Sequence, residues 1–270
     1  MAIEYLAAGR KHGLLRREKH RMQNILNMKY TRDETQSKRR EIAALVMLHS
    51  QNIKTGTVSA MSTDDISLLF RLYDRIFFGG WFSENYRGKL KFSLSRRMTK
   101  SAGLTICPKN AGRIKPEDLE IEIRIGVDFF FQYGLIEGSK TVCGIETENS
   151  LEALQLVFEH ELCHVIEFIH YKRSNCKGKR FKALANNLFG HTESWHKLPT
   201  NKQIANQRLG LKIGDAVEFE YKGRSLKGFI SNINKRATVM VRDSRGPLID
   251  RKGNRYSRYY VPLTRLCAKK

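Results

Sequence analysis

The sequence predicts an α+β fold: helices packed on a small, mainly antiparallel sheet, preceded by a basic helical extension and followed by a small basic β-barrel. Three patterns predict it. Ser62-Thr63-Asp64-Asp65 is a helix start, and Ile66, Leu69, Phe70, Tyr73, Ile76 and Phe77 make an apolar stripe at helical spacing behind it. Lys89 to Ser95 and Ile121 to Ile125 alternate apolar and polar residues, as half-buried strands do. From Val217 to Leu266, short alternating runs are punctuated by Gly223, Asn234, Gly246 and Gly253, which is the pattern of a barrel of about 60 residues.

The elements follow in order. Residues 1–60 form the extension, with Ile25, Leu26 and Met28, then Ile42, Leu45, Val46 and Leu48, at helical spacing. The polar run TRDETQSKRR between them reads as a break. Residues 61–205 form the central domain. Its first helix stops at Gly79-Gly80, and its strands are separated by turns at Gly88, Pro108, Asn110, Gly112 and Pro116. A long helix follows from about 149 to 170, capped by Asn149 or Ser150 with Glu152 in its first turn. The loop KRSNCKGK leads into a helix near Arg180 to Phe189 that Gly190 ends. Residues 208–270 form the barrel.

Bulk composition narrows the function. Of the 270 residues 41% are hydrophobic and 10% aromatic, enough for a core. No stretch approaches the roughly 18–20 apolar residues that span a bilayer, and the N-terminus lacks the order of a secretory signal. A cytoplasmic protein without a membrane partner is expected. The five cysteines are scattered without CxxC spacing, which argues against a disulfide framework. The net charge of +22 is segregated: residues 1–40 hold 11 Lys/Arg against 4 Asp/Glu, and residues 201–270 hold 17 against 5. Such basic flanks suit a polyanion, most simply DNA bound without regard to sequence.

The run His160-Glu161-Leu162-Cys163-His164 carries the chemistry. Positions i and i+4 of a helix lie on one face, so His160 and His164 can direct two imidazoles at one metal ion. Glu161, turned about 100° from His160, can reach a water beside that ion as a general base. Two histidines suit Zn2+, and a third protein ligand is usual for a catalytic site. Cys176, on the loop after the helix, is favoured. His170 has +6 spacing but no glycine to turn the helix before it, His191 and Glu193 follow another helix, and Cys163 is a packing residue.

Four separate segments then resemble the SprT-like family: Ser95-Arg96-Arg97-Met98-Thr99-Lys100-Ser101-Ala102-Gly103, HELCH, Gly178-Lys179-Arg180-Phe181, and Phe189-Gly190-His191-Thr192. The resemblance covers about residues 62–200. It implies a zincin-like, zinc metalloprotease-like domain with His160 and His164 as ligands and Glu161 as base. Spartan members of that family degrade proteins crosslinked to DNA, so DNA and a protein substrate are the implied partners. The family commonly places a third histidine directly before the glycine of the third segment; here Lys177 stands there, with Cys176 beside it.

The tail, from Lys212-Ile213-Gly214-Asp215 through Phe219, resembles the opening of SH3-like barrels. Lys222, Arg224, Lys227, Lys235, Arg236 and Tyr259 are its expected nucleic-acid contacts. The expected function is therefore a zinc metallopeptidase acting on DNA-associated protein. The alternative is a sequence-independent nucleic-acid-binding protein with a structural or vestigial zinc.

Overall fold

The structure is a computed structural model and describes residues 25–268. The part of the expected extension before residue 25 lies outside the described residues. The chain divides into two compact units. One runs to Phe131 and resumes over Ser139–Leu198; the other joins Gln132–Gly138 to the residues from Pro199 onward. That division falls ahead of the boundary expected at 205–208. No helix among the described residues is long and apolar enough to cross a membrane.

In the first unit α1 (Arg32–His49) starts at Thr31, whose hydroxyl accepts from the Glu34 N–H while the Glu34 carboxylate accepts from the Thr31 N–H. This is a capping box. The run TRDETQSKRR, expected as a break, is therefore the first half of a helix: Arg32, Asp33, Glu34 and Arg40 face solvent, Arg39 turns inward to Glu159, and Ile42 and Val46 lie on the buried face further along. α1 packs on α2 (Thr63–Ile76), which starts at Ser62 with the same reciprocal bonds to Asp65. Residues 32–49 thus lie within the first unit.

Gly79 and Gly80, both at positive φ, turn the chain into α3 (Trp81–Asn85). The sheet contains β1 (Lys89–Ser95), β2 (Gly103–Ile106) and β3 (Glu120–Gly126), in the order β1-β3-β2. β3 runs parallel to β1 and antiparallel to β2. The sheet is mixed, where a mainly antiparallel one was expected. The reason lies in the connection: 3₁₀ turns at Ala111–Arg113 and Pro116–Asp118 bring the chain back to the start of β1, where the Lys89 N–H donates to the Leu119 carbonyl. β3 then enters between its two neighbours in the direction of β1. As the central strand it buries Ile121, Ile123 and Ile125.

After α4 (Asp128–Phe131) comes a short hairpin of β4 (Lys140–Val142) and β5 (Ile145–Thr147). Its two turn residues, Cys143 and Gly144, both have positive φ, the signature of a type I′ turn. The long helix α5 (Ser150–Tyr171) is capped by the Asn149 side chain and packs against β2 and α6 (Lys179–Phe189). It is buried on nearly every side, so polar residues along it must find partners inside the protein.

Glu159 shows how that requirement is met. Its carboxylate accepts from Arg39 Nε and Nη2 on α1 at 2.7 and 2.6 Å, from the Tyr73 hydroxyl on α2 at 2.7 Å, and from His191 Nε2 after α6 at 2.8 Å. Burial opposes its charge, but the Arg39 guanidinium and the hydrogen bonds from Arg39 and His191 outweigh that and hold its pKa below the ordinary range. Tyr73 also stacks on Phe77 and meets Phe158 and Phe189, joining this polar knot to an aromatic cluster.

In the second unit α7 (Asn201–Leu209) precedes six strands: β6 (Ala216–Tyr221), β7 (Arg224–Ile233), β8 (Arg236–Arg242), β9 (Leu248–Ile249), β10 (Arg255–Pro262) and β11 (Cys267–Ala268). Their order is β11-β6-β7-β8-β10-β9, all antiparallel. The barrel expected from sequence does not close: the two edge strands are two residues long and each pairs on one side, so the sheet stays open. One face packs Val217, Phe219, Ile230, Val239 and Val261 together with Ala205 of α7.

Removing one partner of a buried charge pair leaves the other uncompensated. Arg39→Ala is therefore expected to destabilise the chain by about 3–5 kcal/mol, measured by chemical denaturation of the full chain. Arg39→Lys, which keeps the charge and loses the fork, should fall between. A loss below about 1 kcal/mol would mean that Glu159 does not depend on Arg39.

Candidate metal centre

The helix α5 does not break between residues 160 and 164, and it turns both imidazoles to one side. The Nε2 atoms of His160 and His164 lie 3.2 Å apart. Two nitrogens each about 2.0–2.1 Å from one tetrahedral ion would be about 3.3 Å apart, so the pair has the spacing that a shared metal requires. Cys176 Sγ comes within 4.8 Å of both donor nitrogens. Phe181 is buried against both rings, at centroid distances of 4.9 and 4.5 Å, and fixes their planes.

Hydrogen bonds set the tautomers. Ser174 Oγ donates to Glu167 Oε2 at 2.7 Å, so at 2.6 Å from His164 Nδ1 it can only accept. His164 is thereby protonated on Nδ1, leaving the Nε2 lone pair free. Glu167 is buried and held by Arg180 Nε and the Asn175 N–H. At His160, the Cys143 thiol donates to the Leu156 carbonyl while its sulfur lies 3.9 Å from Nδ1. A weak acceptor there again leaves Nε2 free. Burial, with smaller effects from neighbouring imidazoles, lowers the His160 pKa to about 2, and burial lowers that of His164 to about 4. Both rings are neutral donors at physiological pH.

Glu161 faces the sheet. It accepts from Thr105 Oγ1 of β2 at 2.7 Å. Burial raises its pKa to about 7, and the Thr105 hydrogen bonds oppose the rise. Gly103 makes room for it: a Cβ at that position would lie 2.5 Å from Glu161 Oε1.

The other candidates fall elsewhere. His170 stacks on Trp81 at 5.7 Å, since α5 runs unbroken past it. His191 is committed to Glu159. Cys163 is buried in the core, and neither it nor Glu193 joins a donor group among the described residues. Lys177 is exposed, and its N–H donates to the Asn175 side chain.

Sequence reading missed His196. A β-bridge between Val142 and His196, the Lys197 N–H on the Thr141 carbonyl and the Cys143 N–H on the Trp195 carbonyl dock this segment beside the hairpin turn. His196 Nε2 is buried without a hydrogen-bond partner, and with Cys143 and His160 it forms a second possible donor group. Thr105, Ser174 and Glu167 were missed too. Their only signal was their place between the segments of the family pattern.

Of the contacts expected in the second unit, Lys222, Arg224, Lys227, Lys235 and Arg236 are exposed. Strand parity turns Tyr259 inward, half-buried, against Phe219 and Tyr221 at 5.5 and 5.1 Å.

A model of the SprT-like family matches residues 66–203, just over half the chain, and the chain belongs to that family. No curated protein and no solved structure matches it.

His160→Ala and His164→Ala should each abolish stoichiometric metal, measured by elemental analysis of the purified chain. Ser174→Ala should weaken metal binding about 10–100-fold in competition with a chromophoric chelator, and His170→Ala should leave it unchanged. Unaltered affinity in Ser174→Ala would show that the Ser174–Glu167 relay does not orient His164.

Proposed function

We propose that this chain is a zinc metallopeptidase that acts on DNA-associated protein, including protein crosslinked to DNA. One juxtaposition carries the reading: a buried carboxyl with a pKa raised to about 7 stands beside two neutral imidazoles at metal-ligand spacing. His160, His164 and Cys176 are the assigned ligands, and their nitrogen and sulfur donors suit Zn2+. When bound, the ion supplies Lewis acidity that activates water and polarises a carbonyl.

The protein's own groups do the rest. Glu161 takes a proton from the attacking water and returns it to the departing amine. Its pKa near neutrality suits both directions, and a cation nearby would lower it from there. Thr105 holds the carboxylate by one oxygen. β2 is an edge strand, paired to β3 on one side only. An extended substrate segment can add to its open edge by backbone hydrogen bonds, which would bring a peptide bond alongside Glu161. The net charge of residues 201–270 supplies attraction to phosphate that ignores sequence.

A second reading has one observation in its favour. Cys143, His160 and His196 form a second donor group that shares His160 with the first, so the histidine can serve a structural site instead of a catalytic one. The chain would then be a nucleic-acid-binding protein without hydrolytic activity.

Glu161→Gln separates the two. It should retain zinc and lose peptide cleavage by about 10²-fold or more, assayed on a DNA-bound protein substrate. Cleavage by Glu161→Gln equal to that of the parent would overturn the peptidase mechanism. Absence of cleavage by both, with full zinc, would favour the structural site.

A further inference from the structure

The face of the second unit's sheet opposite its core carries a groove of about 590 Å³. Register places its residues in rows. Phe229 of β7, Met240 of β8 and Arg258 of β10 lie side by side, with Tyr260 opposite Thr238 in the next row and Tyr256 opposite Arg242 on the other side. Core residues Ile230, Val239 and Val261 alternate with these and point the other way. Tyr260 is 61% exposed and Phe229 38%, and the Phe229 and Tyr256 rings meet edge to face at 5.7 Å. Tyr260, Phe229 and Tyr256 make this face a contiguous, partly exposed aromatic patch, the kind of surface that marks an interaction site.

Charge selects that partner. Arg236, Arg242 and Arg258 share the face with the rings, in a tail of 17 Lys/Arg against 5 Asp/Glu. Asp250 lines the groove, but its carboxylate accepts from Asn254 Nδ2 and from the Tyr256 hydroxyl. Interleaved rings and guanidinium groups are the chemistry of a single-strand platform: unpaired bases stack on aromatic faces while phosphates take the cations. A duplex hides its base faces and could use the cations alone. Ser231, Asn232, Asn234 and Thr238 add small polar groups along the floor.

We propose that this face binds single-stranded nucleic acid, with Tyr260 and Phe229 stacking on bases and Arg236, Arg242 and Arg258 on phosphates. The proposal rests on the reading that the basic tail binds nucleic acid, and it moves the stacking role from Tyr259 to its neighbour Tyr260. It also implies that the protein works where DNA is unpaired.

The test is fluorescence anisotropy of the full chain with a labelled oligothymidylate and with a hairpin duplex, across a salt series. Tyr260→Ala should weaken oligothymidylate binding about 10-fold without changing its salt slope, because stacking releases no counterions. Arg258→Ala should reduce the slope by about one unit. Tyr260→Phe should bind as the parent does, which separates loss of the ring from loss of fold. Parental affinity in Tyr260→Ala and Phe229→Ala, with weakening only in a Lys222→Ala, Arg224→Ala double variant, would overturn this face and keep the nucleic-acid reading. Equal affinity for hairpin and single strand would overturn the single-strand assignment. Binding of neither would overturn both, and preference for a proline-rich peptide over the oligonucleotide would mark the groove as a protein-docking surface instead.

Discussion

The Glu159 carboxylate has no exposed surface, and its charge is sustained only because Arg39, Tyr73 and His191 reach it from three other segments. A buried carboxylate without such partners would cost several kcal/mol. The knot is therefore less a source of stability than a condition on geometry. It can be satisfied only when α1, α2 and the segment after α6 all stand correctly around α5. Glu159 is also the residue before His160. Whatever fixes its direction fixes the rotation of the helix that presents the histidine pair.

From that fixed helix, support spreads in two directions. Towards the sheet, Gly103 and Thr105 of β2 receive Glu161; its burial raises the pKa and the Thr105 hydrogen bonds oppose the rise. Towards the following loop, Ser174 and Glu167 hold the tautomer of His164, and Arg180 anchors Glu167 while resting 3.7 Å from the Tyr171 ring. The segments that carry the family resemblance acquire physical roles here. Gly178-Lys179-Arg180-Phe181 supplies the anchor and the ring between the histidines. Phe189-Gly190-His191-Thr192 ends α6 at a left-handed glycine and delivers His191 to Glu159.

How much of this was legible depended on how far apart in the chain the partners are. His160, Glu161 and His164 were readable because a helix converts spacing into direction. Cys176 was a guess constrained by loop length, and the structure brings it to the pair. His196 was invisible because a β-bridge to Val142 delivers it, and nothing local announces such pairing. TRDETQSKRR was misread because a charged helix on a protein surface has the same composition as a loop, and only the Thr31/Glu34 spacing tells them apart. Tyr259 lies half-buried on the core side of its strand, a placement that composition does not reveal. Side chains alternate along a strand, so a slip of one residue exchanges core for surface.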